Sequence, residues 1–286
     1  MTIAVTAVSG NLGGEIASTL LRSFDGESVI GLARHPDKAS GLDIEVRPGD
    51  YDDRSQLEKS LLNIETLLLV SGMAAPEKRI AQHRNVIEAA RSAGVQKIVY
   101  TSIQGAETGT DFSPVVQSNR QTEADIRASG LDWVIGRNGI YIEPDVEYID
   151  SYKARGEIAN CAADGKCGYT TRSELAHAYA CMLTESRHNG HTYNLHGESI
   201  TQSQLAGFLN RAFDTRLEYR SMSVADYRDE RIAELGPFIG TIIAGIYEGI
   251  RNGALDNSSD FATVTERSHQ DWDDYFQAVR DQISRD

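Results

Sequence analysis

Cysteine is scarce in this chain, and its three copies follow no pattern. Cys161, Cys167 and Cys181 match neither a zinc-ligand spacing nor a CxxC redox motif. A cytosolic protein with free thiols is the expectation, and a Cys161–Cys167 disulfide is the less favoured alternative. The histidines His83, His177, His188, His191 and His196 form no recognised ligand set, so no metal is expected. His188 and His191 lie in a polar segment that reads as surface. Positive charge is also short: 28 Lys and Arg face 42 Asp and Glu, a formal charge of −14. Such a surface disfavours nucleic acid and anionic membranes, but it permits a small anionic ligand in a local basic pocket. No apolar run approaches the ~18 residues of a membrane span. The chain opens directly on a strand pattern with no cationic leader, so no signal peptide is expected.

What the chain does have begins at once. Ile3, Ala4 and Val5 form a short apolar run suited to a buried strand. A small-residue turn follows, Ala7-Val8-Ser9-Gly10-Asn11-Leu12-Gly13-Gly14, and Glu15 to Arg22 reads as helix. Strand, glycine turn and helix N-terminus together make an anion site, because free backbone N–H groups and the helix dipole converge there. A dinucleotide pyrophosphate is the usual guest. The position of the usual first glycine holds Ala7. Its methyl is expected to be tolerated if φ is negative there.

The alternation then repeats. Strands are expected at Ser28 to Ala33, Ile44 to Arg47, Thr66 to Val70, Lys97 to Thr101 and Leu131 to Ile135. Helices are expected at Arg54 to Leu62, Ile80 to Ala93 and Asn119 to Ala128, with Gln104 to Ser118 as a loop around Pro114. Such spacing fits βαβ units and a doubly wound parallel sheet. Ligands in these sheets lie beyond the carboxyl ends of the strands, where Gly10, Arg34, Asp50, Ser71, Gly72, Thr101 and Ser102 fall. Arg34 stands where an acidic residue would hold the ribose hydroxyls of NAD. A cation there suits the 2′-phosphate of NADP. Asp50 could accept a bond from the adenine amino group, or cap the next helix.

Organisation changes after about Gly139. The chain divides into a core dinucleotide-binding region, 1–139, and a mixed region, 140–286. The second region adds sheet elements and a small, mainly helical substrate lobe. Arg137, Asn138 and Gly139 end the sixth strand, and Arg137 is expected to fix the loop through carboxylate or carbonyl contacts. Tyr141, Tyr148 and Tyr152 read as lobe packing, with one or two able to line a substrate cleft. Thr171 or Ser173 can cap the helix that follows, and Thr201 with Gln204 forms a capping-box pattern. Ser223 caps a charged helix. Pro237 suits the start of the next one, whose stripe of Phe238, Ile239, Ile242, Ile243, Ile246, Tyr247 and Ile250 is built to bury against a neighbour. The same stripe could serve a homodimer interface, although burial inside the lobe is the expected use. A last amphipathic helix is expected over His269 to Val279.

These residues resemble the NmrA-like branch of the atypical short-chain dehydrogenase/reductases, near the type 2 quinone oxidoreductases and triphenylmethane reductases. The likeness is carried by Ile3–Gly14, Ala33-Arg34, Gly49-Asp50-Tyr51, Gln82-His83-Arg84-Asn85-Val86, Tyr100-Thr101-Ser102, Arg137-Asn138-Gly139 and Thr171 to Ala176. It implies an α/β Rossmann-type domain holding NADP(H), with a cleft beside the small lobe. The glycine turn would hold pyrophosphate, Arg34 the 2′-phosphate, and Ser71 and Ser102 would neighbour the nicotinamide ribose. Many relatives use a Tyr-x-x-x-Lys pair, and its register falls on Val115 and Asn119. Alcohol dehydrogenation, which needs that pair, is therefore disfavoured. Hydride transfer to a quinone or a similar conjugated acceptor demands less, with Asn119, Asn138 or Tyr141 orienting the acceptor oxygen. The alternative is a non-catalytic NADP-binding redox sensor, which the missing pair fits equally well.

Overall fold

The computed structural model describes residues 1–23, 29–39 and 41–283. Ser28, expected to begin the second strand, lies outside them. The first half alternates strand and helix, except that only a short 3-10 turn, Pro36–Ala39, separates its second and third strands. Its strands are β1 (Ile3–Thr6), β2 (Val29–Ala33), β3 (Glu45–Pro48), β4 (Thr66–Val70), β5 (Lys97–Ile103) and β6 (Asp132–Asn138). Its helices are α1 (Asn11–Ser23), α2 (Arg54–Ser60), α3 (Pro76–Ala93) and α4 (Ser113–Arg127). The second half runs through β7 (Ile140–Tyr141), α5 (Glu143–Glu147), α6 (Ile149–Arg155), β8 (Glu157–Asn160), β9 (Lys166–Thr170) and α7 (Arg172–Thr184). It continues with β10 (His191–Leu195), β11 (Ser199–Thr201), α8 (Gln202–Phe213), β12 (Glu218–Ser221), α9 (Val224–Arg251), α10 (Phe261–Thr265) and α11 (Trp272–Ile283).

Seven strands pair in parallel in the order β10-β6-β5-β4-β1-β2-β3. The strands β1, β4 and β5 are apolar on both faces, because helices cover both. On one face α1 and α7 bury Ile16, Leu20, Tyr179 and Met182. On the other, α2, α3 and α4 bury Leu57, Leu61, Val86, Ile87 and Ile126. Each such side chain contributes about 1.5–3 kcal/mol on burial. The chain order reverses direction between β1 and β4, so a crevice opens above their carboxyl ends.

The C-terminal part builds a second core around Ile158, Tyr169, Leu205, Leu209, Trp272 and Phe276. Two small sheets carry it, β11-β9-β7 and β12-β8. The capping box of Thr201 and Gln204 is present, and Thr171 rather than Ser173 accepts from the Glu174 N–H to cap α7. Ser223 caps α9. That helix breaks at Gly236, whose φ of 79° only glycine adopts readily, and Pro237 restarts it. The two halves fold tightly together: a Cβ on Gly240 would lie 2.5 Å from the Arg231 backbone.

One expected loop is half helix. α4 starts at Ser113 rather than Asn119, because Pro114 occupies its first turn. Proline there loses no hydrogen bond and is pre-set for helix, so it starts this helix rather than interrupting it. His188 is not a surface residue. It is 1% exposed and hydrogen-bonds the Tyr193 hydroxyl.

Candidate functional site

A cavity of about 730 Å³ runs from the first turn of α1, over the ends of β4, β5 and β6, to α5, α6 and α9. At its first end the chain turns so sharply that Gly10 N–H donates to the Ala7 carbonyl (2.9 Å). Gly14 N–H to the Gly10 carbonyl, also 2.9 Å, starts the helical ladder. The amides of Asn11, Leu12 and Gly13 precede that bond and have no helical acceptor. A Cβ on Gly13 would fall 2.5 Å from the Ala7 oxygen, so only glycine lets the helix seat this close to the turn. These features fit a pyrophosphate: open amides, a helix dipole and no side chain in the way. Ala7 itself has φ of 52°. The condition of a negative φ is not met, and its methyl is carried in a left-handed conformation that costs an L-residue about 1–2 kcal/mol.

The strand ends are cross-linked below the cavity. Thr6 Oγ1 accepts from Val70 N–H (2.9 Å), and Thr101 Oγ1 accepts from Ser71 N–H (2.8 Å). Gly72 N–H donates to His83 Nε2 (3.0 Å), which leaves the proton on Nδ1, facing Thr122 Oγ1 at 2.9 Å. Burial, and then Arg79, lower the His83 pKa to about 3, so this imidazole is a neutral strut. Ser102 Oγ donates to Glu123 (2.7 Å). Glu123 is fully buried and ion-paired to Arg120, Arg127 and Arg137. Burial pushes its carboxyl up, but Arg137, Ser102 and Arg120 outweigh that and hold it below its usual range. Arg137 thus holds a carboxylate, as expected from sequence. The Ser102 hydroxyl is already engaged as a donor.

Of the residues expected to bind cofactor, Ala7, Gly10, Asn11, Leu12, Gly13, Ser71, Gly72, Thr101 and Ser102 line the cavity. Ser9, Arg34 and Asp50 lie outside its wall. Ser9 and Arg34 are exposed. Asp50 caps a turn by accepting from Asp52 N–H (3.0 Å). The helix cap that Asp50 might have supplied is Asp53, which accepts from Gln56 N–H.

Asn119, Asn138 and Tyr141 also line the cavity. Asn119 Oδ1 accepts from the Tyr100 hydroxyl (2.6 Å) and Ser71 Oγ (3.1 Å), while Nδ2 donates to the Val115 carbonyl (2.8 Å). One N–H of its amide remains. Asn138 Oδ1 accepts from the Tyr179 hydroxyl (2.6 Å), and its side chain lies close enough to the Tyr141 hydroxyl to lower that phenol's pKa. Burial raises the Tyr141 pKa, so its phenol is protonated at neutral pH.

The far end is aromatic and apolar. Tyr141, Tyr148 and Tyr152 all face it, with Tyr227, Tyr247 and Phe238. The α9 stripe is expected to bury against a neighbour inside the lobe. Instead Ile242, Ile243 and Ile246 form cavity wall, and Phe238 and Ile239 are exposed beside it. Sequence reading also missed Asp145, which is 5% exposed and accepts from the Tyr152 hydroxyl at 2.7 Å. Burial raises its pKa to about 6. Arg155 and Arg231 are paired with Glu230 and Glu234 on α9. Arg79 was missed as well. Nothing local marks it, since its burial depends on α3 docking against α4. All three cysteines are free, and no cluster of metal-ligating side chains occurs among the described residues. No described helix is long and apolar enough to cross a membrane.

The chain is similar to several known proteins. A family model described as NAD(P)H-binding matches residues 8–186. Quinone oxidoreductase 2 of Escherichia coli K12 is 35% identical over 79% of this chain and 79% of its own length. An NmrA-like family domain-containing oxidoreductase of Aspergillus flavus is 28% identical over 89% of this chain and 87% of its own. The Citrobacter triphenylmethane reductase solved with NADP(H) superposes with a TM-score of 0.88. It is 31% identical and covers 97% of this chain and 100% of its own. The chain belongs to the NAD(P)H-binding family and is related to the NmrA-like oxidoreductases, to quinone oxidoreductase 2 and to triphenylmethane reductase.

Proposed function

We propose that this protein is an NADPH-dependent reductase whose acceptor is a quinone or a similar conjugated molecule. One observation carries the reading: a single cavity joins the pyrophosphate-type turn to an aromatic wall, with Tyr141 and Asn138 between them. Bound NADPH supplies the hydride. The chain's residues bind, orient and keep water out. The amides of Asn11 to Gly13 take the pyrophosphate. Arg34 takes the 2′-phosphate from the surface, by charge pairing. Ser71, Gly72, Thr101 and Ser102 form the floor under the nicotinamide ribose.

On the acceptor side, Tyr227, Tyr247 and Phe238 supply flat apolar area for a conjugated ring. The Tyr141 phenol, beside Asn138, donates a hydrogen bond to the acceptor oxygen. Asn119 offers its remaining N–H. The Tyr-x-x-x-Lys register falls on Val115 and Asn119, so neither a tyrosinate nor a lysine serves there. Reduction of an electron-poor ring tolerates this, since proximity and orientation lower most of the barrier.

The test separates binding from turnover. NADPH and NADH are titrated first, and oxidation of the bound dinucleotide is then followed against small quinones. Steady NADPH oxidation is expected. Tight NADP binding with no turnover across quinones and triphenylmethane dyes would instead support a non-catalytic redox sensor. Tyr141→Phe is expected to lower turnover about tenfold, the scale of one hydrogen bond to a charged group.

A further inference from the structure

Arg79 is out of place electrostatically. It is the fourth residue of α3, it lines the cavity, and it is 4% exposed. The other two arginines of the wall, Arg155 and Arg231, each pair with glutamates. Arg79 pairs with no described carboxylate. Among the described residues its one side-chain hydrogen bond is long, Nη1 to Ser118 Oγ at 3.3 Å, and its buried Nε has no partner. A guanidinium does not escape this by losing its proton. The buried cation is left uncompensated, and such a charge is costly unless an anion arrives to meet it.

Its position says which anion. Ser118 Oγ donates to the Val115 carbonyl (2.7 Å), and Asn119 Nδ2 donates to the same oxygen (2.8 Å). Arg79 therefore docks on the turn of α4 that presents Val115 and Asn119 to the cavity, the register of the missing Tyr-x-x-x-Lys pair. Tyr100, its electrostatic neighbour, donates to Asn119 at 2.6 Å. A fixed positive charge thus stands beside the turn whose register would have carried the tyrosine and the lysine.

We propose that Arg79 is a catalytic residue that stabilises the oxyanion formed on the acceptor. This rests on the acceptor being a quinone, as read above. Hydride adds to one quinone oxygen, the ring π electrons shift to the aromatic arrangement, and the π pair of the opposite carbonyl moves onto its oxygen. The acceptor gains two electrons and one hydrogen and becomes a phenolate. The guanidinium meets that charge in a site already desolvated, where a fixed cation acts most strongly. The phenolate then takes one proton from water through Tyr141, which completes the hydroquinone.

The experiment contrasts two acceptors. Menadione becomes a phenolate on reduction. Malachite green, a cationic triarylmethyl dye, takes hydride at carbon and becomes neutral, with no oxyanion. In Arg79→Met, menadione turnover is expected to fall about 100-fold, the scale of losing one oxyanion donor, while dye turnover holds or rises. Arg79→Lys should recover part of the loss. A second readout needs no turnover. 4-Nitrophenol bound to the NADP⁺-loaded protein, below its solution pKa, should show the phenolate absorbance band, and Arg79→Met should abolish it. Arg79→Gln replaces Arg79→Met if that variant does not fold. The proposal is overturned if menadione and dye turnover fall together, if neither falls, or if the NADPH Kd weakens in step with the rate. If the wild type turns over no quinone, the reading above fails, and the nitrophenolate band still decides the role of Arg79.

Discussion

The two ends of the cavity are held in opposite ways. The cofactor end is tied by hydrogen bonds and ion pairs between strand ends: Thr6 to Val70, Thr101 to Ser71, Ser102 and three arginines to Glu123. The end proposed for the acceptor is walled by tyrosines and isoleucines on short helices and on a helix broken at Gly236. Polar bonds are directional and fix atoms to tenths of an ångström, which suits one invariant cofactor. Apolar walls are non-directional and accept different flat rings at similar cost. The difference predicts tight specificity for the dinucleotide and broad tolerance for the acceptor.

Glu123→Ala should break the contrast most, because it leaves Arg120, Arg127 and Arg137 without their shared carboxylate. A loss of about 3–5 kcal/mol is expected, read by urea unfolding, and a stability within experimental error of wild type would mean that the cluster does not hold the strand ends. Asp145→Asn tests the acceptor end through pH. The raised pKa of Asp145, about 6 against 3.8, means that ionisation opposes folding. The protein gains from this group only below the unfolded value and loses that gain as pH rises through about 6. The variant should therefore be more stable by up to about 3 kcal/mol at pH 7 to 8, the advantage shrinking as pH falls toward 4. Melting curves across that range check it, and a pH-independent difference counts against burial as the cause.

Arg34→Ala is expected to weaken NADPH about 10- to 100-fold, the scale of a charge-assisted phosphate contact. NADH should be unchanged. Equal loss for both would remove the 2′-phosphate role. The smallest effect sharpens the opening turn. Ala7→Gly removes a left-handed L-residue and should add up to about 1 kcal/mol of stability. An unchanged NADPH Kd would make the cost of Ala7 conformational only, and tighter binding would show that its methyl also crowds the pyrophosphate.

Much of the cofactor end was legible in the chain, because its signals are local. Gly10 and Gly13 follow an apolar strand within a few residues, and Ser71 and Thr101 end runs that only a buried parallel strand explains. Thr201 with Gln204, and Pro237 after Gly236, mark helix ends by their own backbone chemistry. Pro114 misled for the same reason: its local meaning depends on whether a helix has already begun.

The sequence alone determined the βα alternation, the glycine turn after β1 and the capped starts of α7, α8 and α9, since periodicity and capping act over a few residues. Only the tertiary structure decided that Arg79 is buried without a carboxylate, that Asp145 is desolvated against Tyr152, and that the α9 stripe faces a cavity. Desolvation and charge pairing are set by which distant elements meet. Arg79 becomes remarkable only once α3 docks on α4, and Asp145 only once α5 and α6 close beside α9.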